Sequence, residues 1–178
     1  SPIRAELGDC VRCGLHEGRK KLVFGVGSES ADLVIIGEAP GHKEDLTGEP
    51  FVGKSGQLLT RMIGAIGLRR DEVYICNVVK CRPPNNRDPS PEEVHTCSPF
   101  LIRQVQTINP RVVMTVGKFA SQCLLGLDES MGRMRGKTHQ WENLPVVPSY
   151  HPAYLLRNPV AKRDAWEDLL RIRALLRR

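Results

Sequence analysis

A carboxylate, an amide, an imidazole and an aromatic ring stand in this sequence where regular structure must stop. They are Glu38 in Gly37-Glu38-Ala39-Pro40-Gly41, Phe51 in Gly48-Glu49-Pro50-Phe51-Val52-Gly53, Asn77 near the end of an apolar run, and His151 at the head of His151-Pro152-Ala153-Tyr154-Leu155-Leu156-Arg157. Together such groups can stack a planar ring, read its hydrogen-bonding edge, donate to an oxygen that gains charge and steer a water. Taken singly, Asn77 is a polar strand end and His151 a loop histidine. Their chemistry depends on whether one rim collects them.

The second chemical set is sulfur. Cys10 and Cys13 form a Cys-x-x-Cys turn between Gly8 and Gly14, and Cys81 and Cys97 form a wide pair with fifteen residues between them. Four thiolates from two distant segments can close around one centre, and both zinc and an iron-sulfur cluster accept such a set. The wide second half, with Pro83, Pro84, Pro89 and Pro91 in its loop, favours the bulkier cluster on spacing. Cys76 and Cys123 lie inside apolar stretches and read as small core hydrophobes.

Positioning these groups requires strand ends. Asp32 to Ile36 is a short, continuous, β-branched run that predicts a buried parallel strand, and ligands of open α/β sheets sit beyond the carboxyl ends of such strands. Further strands are expected over residues 72–79, 111–116 and 144–148. Helices are expected from Gln57 to about Ile66 with Ser55 as cap, from Glu92 to Thr107, and from Lys118 to Leu125. The alternation predicts an α/β fold with a mostly parallel four-stranded sheet. The connection from Gly37 to Lys54 is longer than an ordinary strand-to-helix loop, which marks it as functional.

The whole of residues 1–178 reads as one domain, with residues 1–27 as a cysteine-bearing N-terminal segment integral to it. Lys and Arg number 26 against 20 Asp and Glu, a formal charge of +6 that suits a polyanionic partner. Arg171, Arg173, Arg177 and Arg178 are read instead as the solvated face of an amphipathic helix. No segment approaches the ~20 apolar residues of a membrane span, and the start at Ser1 carries no signal-peptide core. The expectation is a soluble cytoplasmic protein of prokaryotic type, nucleoid-associated and monomeric.

The motifs at 37–45, 48–53, 77–87 and 151–157 together resemble the family 4 uracil-DNA glycosylases, and the cysteines at 10, 13, 81 and 97 resemble that family's 4Fe-4S ligands. The resemblance spans nearly the whole chain. It implies a three-layer α/β/α sandwich, an iron-sulfur-binding N-terminal segment, and removal of uracil from single- or double-stranded DNA to leave an abasic site. Gly37, Glu38, Ala39, Phe51, Asn77 and His151 would then form the uracil pocket, with Asn77 reading the base, Phe51 stacking on it and His151 donating to its O2.

Glu38 is the first choice for positioning the attacking water, with Asn86, Glu44 and Asp45 as alternatives, and His42 is a further polar contact. Ala39 stands where other branches of the superfamily carry a catalytic aspartate, so their mechanism does not transfer. Phosphate contacts are expected from Lys54 and Ser55 at a helix start and from Arg133, Arg135 and Lys137. Leu155, beside Tyr154, is placed as a wedge for the gap left by the base, against a rival reading as core. A related branch captures its substrate covalently through a histidine in an inserted loop; residues 82–90 contain none, which predicts turnover. The other rivals are a non-catalytic iron-sulfur DNA-binding module and a nucleotide-binding α/β protein, the latter lacking a dinucleotide glycine fingerprint.

Overall fold

A computed structural model describes residues 1–178. In chain order the elements are α1 (Pro2–Leu7), β1 (Val26–Gly27), β2 (Leu33–Gly37), α2 (His42–Thr47), α3 (Lys54–Gly64), β3 (Tyr74–Asn77), α4 (Pro91–Ile108), β4 (Val112–Val116), α5 (Lys118–Leu125), α6 (Met131–Met134), β5 (His139–Trp141), β6 (Leu144–Ser149), α7 (Pro152–Arg157) and α8 (Lys162–Leu176), with short 3-10 turns between them. The sheet order is β1-β3-β2-β4-β6-β5. Its four inner strands are mutually parallel, while β1 and β5 pair antiparallel at the two edges. The sheet therefore has six strands where four were expected. The two additions are short and only partly buried, and neither presents the apolar run by which the inner strands were recognised.

Period-two alternation divides the inner strands between two cores. Leu33, Ile35, Ile75, Met114 and Val147 pack against Leu59 and Ile63 of α3, Leu155 of α7, and Leu169 and Ile172 of α8. Val34, Ile36, Cys76, Val113 and Val146 face the other way, onto Leu101 and Val105 of α4 and Ala120 and Leu124 of α5. This is the three-layer α/β/α arrangement. The N-terminal segment docks α1 on α4 through Ile3, Leu7 and Phe100. No helix is long and apolar enough to cross a membrane.

Because β2 lies between β3 and β4, its connection runs to one side and that of β4 to the other, which opens a crevice at their carboxyl ends. Gly37 and Asn77 are partners on the last rung of that edge. The long connection after Gly37 is ordered by α2 and by Glu44, whose carboxylate accepts from the backbone N–H groups of Gly41 (3.0 Å), Val52 (3.0 Å) and Gly53 (3.3 Å). Asp45 is buried and accepts from the amides of Lys20 and Lys21, tying the N-terminal segment to the same loop. The cap of α3 is Gly53, so Ser55 lies within the first turn rather than at the cap.

Arg135 does not face solvent as a phosphate ligand. Its guanidinium donates to Asp168 through Nη2 (3.0 Å) and Nε (3.2 Å), with only 13% of its side chain exposed. Asp168 is fully buried and also accepts from Ser149 Oγ at 2.7 Å, at the end of β6 and two residues before His151. Leu155 is likewise core, at 1% exposure, whereas its neighbours Tyr154 and Leu156 are exposed. One turn of α7 inverts the wedge assignment, because residue 155 faces α3 while 154 and 156 flank it. Asp168→Ala removes the one buried anion of a nearly buried guanidinium, leaving it only the longer contacts to the more exposed Asp164 (4.0 Å) and Glu167 (3.7 Å), and is expected to lower unfolding free energy by about 3 kcal/mol in denaturant titration. By contrast, Asp71→Ala, which removes one of the two carboxylates paired with the exposed Arg69, should change it by less than ~1 kcal/mol.

Candidate active site

A cleft of about 840 Å³ opens at the carboxyl edge of the sheet and is lined by Glu38, Ala39, Phe51, Asn77, Asn86 and His151, with Lys54, Ser55, Tyr154 and Arg157 at its borders. The strand ends thus collect on one rim the four chemical groups that lie far apart in sequence. Gly37 sits behind them. A Cβ there would stand 2.5 Å from Asn77 Oδ1 and 2.7 Å from Phe51 Cζ, so only glycine lets the ring and the amide approach so closely.

Asn77 is 2% exposed, and its Oδ1 is a buried acceptor without a hydrogen-bond partner in the protein. Leaving such an atom unpaired costs about 1 to 3 kcal/mol, and the fold tolerates it at the floor of an open cleft. A ligand with a planar N–H aimed at Oδ1 would satisfy it.

Phe51 is held in an unfavourable backbone conformation by an arginine. Its φ is +53°, a region that side chains of its size seldom enter. Arg70 clamps the turn, donating from Nη1 to the Phe51 carbonyl (3.0 Å) and from Nη2 to that of Pro50 (2.9 Å). Behind the turn, α3 passes so near that a Cβ on Gly56 would lie 1.8 Å from the Phe51 carbonyl oxygen. Sequence reasoning missed Arg70, since nothing in Gly67-Leu68-Arg69-Arg70 distinguishes it from the exposed Arg69 before it.

His151 caps α7 and accepts from the Ala153 N–H through Nδ1 at 3.0 Å. Nδ1 must therefore be unprotonated, which leaves the hydrogen on Nε2. Burial depresses its pKa to about 4, with Arg157 acting in the same direction and Glu44 opposing. The imidazole is thus a neutral Nε2–H donor throughout the physiological range. Its ring lies 5.5 Å from that of Phe51, tilted by 33°.

Glu38 behaves oppositely. Burial first, then a hydrogen bond and the like charge of Asp88, raise its carboxyl to about 7. A carboxylate poised near neutrality can accept a proton from water. Asn86 is exposed, with φ +54°, and its Oδ1 accepts from Arg82 Nε at 2.7 Å, leaving its amide donors free. The loop bearing it is anchored at the next residue, where Arg87 grips Glu93 of α4 through two 2.8 Å bonds. Glu44 serves the loop backbone, whereas Asp45 holds the amides of Lys20 and Lys21 and does not line the cleft. His42 does line it and lies 3.5 Å from Arg82 Nη1.

On the far side of β3, a second cavity is lined by all four cysteines, Cys10, Cys13, Cys81 and Cys97. No group of three or more His, Cys, Asp or Glu side chains is arranged to hold a single metal ion. Two guanidinium groups donate to the sulfurs, Arg12 to Cys10 and Arg19 to Cys81, each at 3.4 Å. Arg19 is 7% exposed and also binds the carbonyl of Cys10. A buried cationic donor such as Arg19, with the exposed Arg12 beside it, suits a thiolate-rich, anionic centre.

The model of the uracil DNA glycosylase superfamily matches residues 24–170. A type-4 uracil-DNA glycosylase of Archaeoglobus fulgidus is 46% identical over 178 residues, covering 96% of this chain and 89% of that protein. Enzymes of the same description from Saccharolobus solfataricus and Thermotoga maritima are each 43% identical, covering 98% and 99% of this chain and 85% and 94% of theirs.

The tautomer of His151 can be read by nitrogen-resolved NMR of the free protein. The resonances should report a neutral ring protonated at Nε2 between pH 6 and 8, with no titration until about pH 4. A ring that titrates near its ordinary ~6.5 would contradict the assigned burial and hydrogen bond.

Proposed function

The chain belongs to the uracil-DNA glycosylase superfamily, and on that premise we propose that it is a monofunctional DNA-repair glycosylase that takes extruded uracil into the cleft, hydrolyses its N-glycosidic bond and leaves an abasic site. The observation that carries this reading is the unpartnered Oδ1 of Asn77. Uracil offers a donor at N3 and an acceptor at O4, and one carboxamide answers both. Oδ1 accepts from N3–H while Nδ2 donates to O4. Cytosine offers a bare acceptor at N3 and an amino donor at position 4, so both contacts would become repulsive. Thymine differs from uracil only by its 5-methyl group, which the amide does not sense.

Phe51 provides the stacking face, worth ~1 to 3 kcal/mol in comparable base contacts. The reaction transfers the bonding electrons of the C1′–N1 bond to the base, and the charge gathers on O2 and O4. Neutral His151 donates from Nε2 to O2, where its hydrogen bond strengthens as the bond breaks. Glu38, when ionised, accepts a proton from the water that attacks C1′ and offsets the positive charge of the sugar. The water's hydroxide joins C1′, and the departing base is protonated by solvent. The free amide donors of Asn86 are placed to orient that water.

DNA is held chiefly through phosphates, by Lys54 and Ser55 at the start of α3, where the cap of that helix supplies no side-chain oxygen to its N–H groups. Arg133 and Lys137 are exposed and fit a distal contact. The exposed Tyr154 and Leu156 replace Leu155 as candidates for filling the gap left by the extruded base. Cys10, Cys13, Cys81 and Cys97 would hold a 4Fe-4S cluster, supported by the four-sulfur lining and its N–H···S bonds. When bound, the cluster supplies a cross-link between the N-terminal segment and the loop after β3. Hydrolysis has no electron to give or take, so that role is structural. Purified protein is accordingly expected to be brown, and Cys13→Ala or Cys97→Ala to bleach it.

Alkaline cleavage of single-stranded and duplex oligonucleotides bearing one uracil tests the activity. Strand scission at the uracil position is expected only after alkali; scission without alkali, or none at all, would reject a monofunctional glycosylase. Asn77→Asp should slow single-turnover excision by about 10²-fold or more while narrowing the margin over cytosine. In the wild type the rate should rise with pH through about 7, because the ionised form of Glu38 is the active one and its raised pKa delays ionisation. Glu38→Gln should be slow and flat across that range, and an unchanged acid limb in this variant would move the base elsewhere.

A further inference from the structure

Lys80 is the one lysine with no exposed surface, and it lies between the cleft and the cysteine cavity. Its Nζ donates to the main-chain carbonyl of Asn77 at 2.8 Å, and the side chain lines the cavity shared by the four cysteines. The ammonium lies 5.8 Å from the Phe24 ring centroid, a contact that offsets only part of the cost of burying a charge. No carboxylate pairs with it, and burial lowers its pKa, an effect that only the anionic forms of the nearby thiols Cys76 and Cys97 oppose. A buried ammonium with one neutral acceptor is costly by several kcal/mol and calls for an anion. Four thiolates around a [4Fe-4S]²⁺ core carry a net charge of two minus, and the cavity that would hold them adjoins this side chain.

Resting on the glycosylase and cluster readings above, we propose that Lys80 is a positioning residue that joins the two sites: its ammonium is the buried counter-charge of the cluster and at the same time holds the carbonyl of Asn77, fixing the amide that reads the base. The link is short. Asn77 ends β3, its side chain has no protein partner at Oδ1, and its orientation therefore depends on its main chain. Without Lys80 that peptide would be held only through its other end, the Val78 N–H bond to the Gly37 carbonyl at 2.9 Å, and misplacement of a reading group by ~1 Å can cost about 10²-fold in rate. The same substitution should be felt at the iron, because removing a positive charge beside an anionic cluster makes electron addition harder.

The test compares Lys80→Met, which removes charge and donor, with Lys80→Gln, which keeps a donor and removes the charge, each as the cluster-loaded protein with its fold verified by circular dichroism. Three quantities are read: the cluster midpoint potential by titration followed in visible absorption and electron paramagnetic resonance, single-turnover uracil excision at saturating DNA, and the ratio of uracil to cytosine excision. Both variants should shift the potential to more negative values. Excision should fall by ~10-fold or more in Lys80→Met, with a smaller ratio of uracil to cytosine, and by less in Lys80→Gln. An unchanged potential in both folded variants would overturn the counter-charge, and full excision and discrimination in Lys80→Met would overturn the positioning role. Failure of the underlying readings shows separately, as a wild type without cluster absorption or without excision, and the proposal falls with them.

Discussion

The structure depends on a contact that leaves no room for a side chain at residue 37. β2 and β3 end on the same rung, and the absence of a Cβ at Gly37 brings the Phe51 ring and the Asn77 amide to the edge together. An aromatic face and an amide edge are thereby brought together at the cleft before any ligand arrives. The energetic consequence is a buried carbonyl oxygen without a donor. An unpaired acceptor of that kind favours an occupant that brings its own N–H, and penalises one that presents a lone pair there.

Other features of the molecule hold that arrangement still. Phe51 sits at positive φ and is retained by Arg70 on one side and by the close approach of α3 at Gly56 on the other. Glu44 closes the loop ahead of it through three backbone amides. His151 is set by the cap of α7, and the strand that delivers it is fixed through Ser149, Asp168 and Arg135. The two titrating groups are pushed apart by their surroundings, His151 downward and Glu38 upward. Near neutrality this yields a neutral N–H donor and a carboxylate able to take a proton from water.

Much of this was legible in the sequence because it is written in local patterns. Continuous apolar runs mark the inner strands, and polar residues at their ends mark the rim, so Glu38, Phe51, Asn77 and His151 could be named and are found on one cleft. The cysteine spacing likewise anticipated a shared cavity. What stayed hidden concerns which partner a long side chain chooses. Arg135 looks like a basic loop residue until Asp168 of a distant helix is seen beneath it. Arg70 and Lys80 are as unremarkable in sequence as the exposed Arg69 and Lys54. Leu155 and Leu156 differ only by a 100° rotation about α7, a phase that six residues of helix do not reveal. The edge strands β1 and β5 were missed because antiparallel edges need no apolar run.

The central claim is that the orphaned oxygen of Asn77 exists to receive the N3–H of uracil. A crystal structure of the protein with uracil and an abasic strand tests it most directly. The account predicts uracil stacked on Phe51, with N3 within about 3.2 Å of Asn77 Oδ1, O4 facing Nδ2 and O2 facing Nε2 of His151. Uracil seated elsewhere in the cleft, with Oδ1 still unpartnered or bonded to a water, would contradict it.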